Sequence, residues 1–135
     1  MDGIDQGFMP ALASIAAAPH GANIQVQVLE TSVTLSGAST NASIQIPANC
    51  IVLAVGARVT TPITGAPSYE VGVASNLTQF GSTLAIAANS TNFGLIGPTA
   101  FYTATTLTIT ATSGSFTAGQ VRLSISIILA NPSAA

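Results

Sequence analysis

The sequence predicts an all-β protein: a single, jelly-roll-like β-sandwich with an N-terminal arm that is extended or partly helical. Three observations carry this. From residue 24 onward apolar side chains recur with a period of two, which sets alternate residues on opposite faces of a sheet. Short runs of this kind are separated by clusters of Gly, Pro, Asn and Ser at the spacing expected of sandwich strands. Finally, 31 serines and threonines provide the polar exterior that charged side chains usually supply. A chain of 135 residues is the size of one domain able to close a hydrophobic core without disulfides. The organisation read from it is an arm over residues 1–22, a sandwich over 23–131 and a tail over 132–135.

In the arm, Ile4, Phe8, Leu12 and Ile15 stand at helical spacing, and Pro10 suits the first turn of a short helix. Gly3, Gly7 and Gly21 favour an irregular path instead, so both forms stay open. With Met9, these four residues are the candidate contact surface of the arm. Asp2 and Asp5 occupy the place where a secretory signal needs positive charge, so the segment is read as part of the mature chain.

Strands are then expected over residues 24–30, 32–36 and 42–46. Residues 51–59 alternate with both faces apolar until Arg58, which marks a central strand. Residues 61–68, with Pro62, Gly65 and Pro67, read as the loop of a hairpin into a strand over residues 69–73. That hairpin would set Arg58 near Glu70 as an opposite-charge cross-strand pair fixing the register. Residues 74–97 are the least periodic and are read as long loops, apart from a short strand at 84–86. Strands over 99–102 and 106–111 follow, the latter with Thr106, Thr108 and Thr110 turning hydroxyls to water. The clearest strand is the last, where Val121, Leu123, Ile125, Ile127 and Leu129 interleave with Arg122, Ser124 and Ser126.

Only six residues carry full charge: Asp2, Asp5, Glu30, Arg58, Glu70 and Arg122. Catalytic sites are built mostly from charged groups, imidazoles and thiols, and the chain has one His20 and one Cys50. Cys50 opens an apolar strand and is expected as a small buried hydrophobe. A metal site lacks ligands, a phosphate loop lacks its lysine, and two arginines do not make a nucleic-acid surface. No apolar stretch is long enough to cross a bilayer. The expectation is therefore no enzyme, no catalytic residue, no cofactor or metal, no nucleic acid and no membrane. A net charge of −2 leaves little repulsion between copies, which favours a permanent oligomer.

The stretch Ile46-Pro47-Ala48-Asn49-Cys50-Ile51-Val52-Leu53, followed by Arg58-Val59-Thr60-Thr61-Pro62-Ile63-Thr64-Gly65-Ala66, resembles a β domain of tailed-phage and prophage virion proteins. The likeness runs on through Phe80-Gly81, Ile96-Gly97-Pro98 and Gly119-Gln120-Val121-Arg122, covering roughly residues 44 to 129. Similar domains end longer tail or fibre proteins, whereas this chain has little outside the domain, which brings it nearer to capsid cement (decoration) proteins. That resemblance implies a homo-oligomer, a trimer, on the capsid exterior, with the major capsid protein as partner and a role in locking neighbouring capsomers. The alternative is a tail-fibre or head-fibre module that binds a receptor or glycan through residues 74–97 and aromatics such as Tyr69, Phe101 and Tyr102.

Overall fold

Alternation of apolar and hydroxyl side chains gives each strand one dry face, and two sheets must meet to cover those faces. The computed structural model describes residues 13–17 and 19–131 and closes them into two antiparallel sheets. The strands are β1 (Ala13–Ala17), β2 (Asn23–Thr34), β3 (Ser39–Ile46), β4 (Cys50–Thr64), β5 (Tyr69–Val73), β6 (Asn76–Leu84), β7 (Thr91–Asn92), β8 (Leu95–Phe101), β9 (Thr105–Ala111) and β10 (Ala118–Asn131). The larger sheet has the order β1-β2-β10-β4, with β7 and β8 sharing the far edge of β4, and the smaller has the order β3-β9-β5-β6. Without β1 and the two-residue β7, the larger sheet reads β2-β10-β4-β8, which with the smaller is the jelly-roll arrangement. Of the connections between these eight strands, only β5 to β6 stays within one sheet.

The core lies between the sheets. Val121, Leu123, Ile125 and Ile127 of β10 and Val52, Val55 and Val59 of β4 are fully buried against Leu107, Ile109, Val71 and Tyr69 of the smaller sheet. Val52 and Val55 are three residues apart yet both face inward, because the β4–β10 register slips between the pairs Ile127↔Val52 and Ser126↔Ala54. Leu53 and Ala54 thus share the outer side of that bulge. Pro62 lies in β4 where a second irregularity, between Gln120↔Thr61 and Ala118↔Thr64, spares the ladder its missing N–H.

Two sequence expectations about the strands need correction. Residues 61–68 are not a hairpin loop: β4 runs on to Thr64, and Gly65, with φ 93°, turns the chain across to β5 in the opposite sheet. Residues 74–97 are mostly strand, with β6 lying on the edge of the smaller sheet beside β5. That edge strand drives only Phe80 into the core and shows no alternation to read. Of the forms open to the arm, residues 13–17 take the extended one: Ile15 belongs to β1, where the edge of β2 offers backbone partners from Val26 to Asn23. Ile4, Phe8, Met9 and Leu12, like the 132–135 tail, lie outside the described residues.

Truncating Ile125 at the centre of the core removes packing from both sheets. Ile125→Ala should lower stability by about 2–5 kcal/mol, read as an earlier urea midpoint with an unchanged slope.

Candidate functional site

Because β10 alternates, its outer side chains are Arg122, Ser124, Ser126 and Ile128, and the register carries them across β2 and β4. Arg122 stands opposite Arg58, so the only two cations in the chain face each other across one ladder. Like charges in that position are unfavourable. They are partly relieved sideways: Arg122 Nη1 donates to Glu30 Oε1 at 3.1 Å, and Arg58 Nη2 donates to Asn89 Oδ1 at 3.0 Å. Both groups of the Arg122–Glu30 pair are about half exposed, so it adds only a few tenths to about 1 kcal/mol. Among the described residues Arg58 has no carboxylate partner.

The strip that covers the far edge of β4 is clamped by backbone hydrogen bonds. Val59 N donates to Ser90 O at 3.0 Å, Asn89 N to Val59 O at 2.7 Å, and Val55 N to Gly94 O at 3.1 Å. Asn92 turns inward, its Nδ2 donating to Phe80 O at 2.9 Å, and Gly94 is buried against β4. With both neighbours facing in, Phe93 is thrust outward and is 76% exposed. Gly94 has φ 61°, and a Cβ there would run into the carbonyl oxygen of Val55, so only glycine permits this approach. Phe93, Gly56, Ala57, both arginines and Glu30 enclose a cleft of about 310 Å³ on the outer face of the larger sheet.

The other end of the same face is apolar. Ile51, Ala100, Tyr102, Ile128 and Ala130 line a second cleft of about 470 Å³, and Val28, Leu95 and Tyr102 are exposed nearby, Tyr102 by 77%. Cys50 lies at its base, buried, its Sγ donating to Pro47 O at 3.1 Å. Burial pushes its thiol above the ordinary range, so the nucleophilic thiolate is suppressed. The outer face of the smaller sheet is different in kind. Thr106 and Thr108 are bonded sideways to Gln45 and Asn41, and Glu70 is its lone charge among the described residues.

The expected Arg58–Glu70 pair is not formed: Arg58 lies in the larger sheet and Glu70 in the smaller, opposite Thr110. Arg58 and Glu70 are separated because successive strands of this fold alternate between sheets. Of the aromatics considered for ligand stacking, Tyr69 is core, Phe101 packs against the core and Tyr102 is exposed. Phe93 and Leu95, in the stretch read as loop, were not singled out by sequence. The dipeptide Phe93-Gly94 beside Asn92 was the available signal. Among the described residues no group of three or more His, Cys, Asp or Glu side chains is placed to hold a metal ion.

Neither a protein-family model nor a curated protein matches the chain. Among solved structures, a chain of the cyanophage Pam1 capsid asymmetric unit is similar, with a TM-score of 0.58 and 24% identity over 90% of this chain and 96% of that chain. The likeness is one of fold and extends over nearly the whole of both chains.

Two outcomes follow from this local geometry. Gly94→Ala should cost about 1–3 kcal/mol and loosen the 89–95 strip, seen as faster amide exchange at Val55 and Val59. Burial raises the hydroxyl of Tyr69 to about 12. The folded state therefore holds this proton where the unfolded chain, titrating near 10, has lost it. The contribution is complete below about pH 10 and is lost as pH rises to about 12, so the urea midpoint should fall across that window.

Proposed function

We propose that the protein is a virion structural protein of a tailed phage, a capsid cement or decoration protein that sits on the capsid exterior and stabilises the head by binding between capsomers as a homo-oligomer. The observation that carries this reading is the match, over nearly all of both chains, to a chain in a phage capsid asymmetric unit. Two features of the surface support it. The larger sheet presents Val28, Phe93, Leu95 and Tyr102 to solvent on or beside one broad face, an apolar patch of the sort that marks an interaction surface. The remainder is hydroxyls and amides with few charges to desolvate, so docking against a protein lattice costs little electrostatically. The described residues offer positioning surfaces and no assembled catalytic group. The major capsid protein is the partner this reading implies, and a trimer is the oligomer.

Exposed Phe93 and Tyr102 favour one other reading, a fibre-associated module that stacks sugars of the bacterial envelope. The two readings separate by location and abundance.

On the cement reading, the protein sediments in solution as a trimer and is found on purified particles in many copies at capsomer junctions by electron microscopy. A monomer absent from heads, or a few copies on a fibre that bind host envelope, gives the reading up. Removing residues 1–12, which leaves β1 in place on β2, should weaken attachment to the head while leaving the circular dichroism and melting of the sandwich near those of the full chain.

A further inference from the structure

The chain places its charges unevenly. Both of its cations and Glu30 line the cleft beside Phe93, giving that spot a formal charge of +1 within a protein of −2. The other three charges, Asp2, Asp5 and Glu70, are all acids. Glu70 is fixed on the opposite sheet, which leaves Asp2 and Asp5 as the carboxylates available to the cleft. They belong to a segment, residues 1–12, whose other notable side chains are Ile4, Phe8, Met9 and Leu12. That is an acidic and apolar peptide, and the cleft is a basic one with Gly56, Ala57 and Phe93 among its lining.

We propose that this cleft on the outer face of the larger sheet receives residues 1–12 of a second copy of the chain, with Asp2 or Asp5 against Arg58 and Phe8 against Phe93. The inference rests on the homo-oligomeric reading above and names the surface that receives the arm. Three arguments select this occupant. Charge complementarity is the first: Arg58 and Arg122 face each other across a ladder, and of the two only Arg122 has a carboxylate partner among the described residues, Glu30, so a further carboxylate is favoured beside Arg58. Reach is the second. Ala13 lies at the rim of the larger sheet on β1, and twelve extended residues span up to about 40 Å, enough to cross to a neighbour. Direction of approach is the third. From β1 of the same copy the arm would have to cross both β2 and β10 before it met Arg58, which lies on β4 beside the β7 edge. An arm coming from another molecule can enter from that open side.

The test uses the full-length protein with a photo-cross-linking phenylalanine analogue replacing Phe8. Illumination should give covalent dimers on a denaturing gel, with cross-linked peptides mapping to the 91–95 strip or to the stretches holding Arg58 and Arg122. Arg58→Gln, with its melting midpoint unchanged, should lower the dimer yield about fivefold, and raised salt should lower it in the parent protein. Cross-links confined within one chain overturn the proposal, as do dimers mapping elsewhere or a yield indifferent to Arg58→Gln. Capsid attachment is scored separately with the unmodified protein. Specific dimers from a protein that does not bind heads would retain this inference and remove the cement reading, and head binding without them would do the reverse.

Discussion

Two long strands, β4 and β10, run side by side through the larger sheet, and their register decides what the rest of the molecule presents inside and out. Inside, it brings Ile125 to Val55 and Val121 to Val59, the buried centre on which the smaller sheet packs. Outside, the same register sets Arg122 against Arg58 and Ser124 against Gly56. The absence of a side chain at Gly56 opens the floor of the basic cleft, since a Cβ there would meet Ser124 Oγ at 2.9 Å. One slip of register would turn one of the two strands over, burying its guanidinium group, which the described core has no carboxylate to neutralise. The bulge at Leu53 and Ala54 absorbs the mismatch between the ends of the two strands without disturbing that centre.

The two outer faces divide the surface between different tasks. The smaller sheet shows threonine, asparagine and glutamine side chains, of which Thr106 bonds to Gln45 and Thr108 to Asn41, while the Thr110 hydroxyl is buried without a partner. The larger sheet is basic at one end and apolar at the other, with aromatic side chains exposed at both.

Much of this was legible in the sequence. The β10 alternation named the buried residues Val121, Leu123, Ile125 and Ile127, and the doubly apolar run in β4 marked it as central. Cys50 is buried, as its place at the head of that run suggested. What could not be read was which strands are neighbours. Turn residues between Thr61 and Ser68 look the same whether the chain folds back in one sheet or passes to the other, so Glu70 was assigned to the wrong neighbour. Edge strand β6 escaped notice because a strand buried through Phe80 alone leaves no period. The candidate surface was hidden for a related reason: Phe93 is exposed through the inward turn of Asn92 and Gly94, a local backbone choice, and Arg58 meets Arg122 through a pairing of distant segments.

The crossing of nearly every connection from sheet to sheet has a kinetic side. Val33 is paired with Val121 and Thr40 with Ile109, so few contacts can form until far-apart parts of the chain have met. Closing such loops precedes any reward from packing, which makes jelly-roll folding slow.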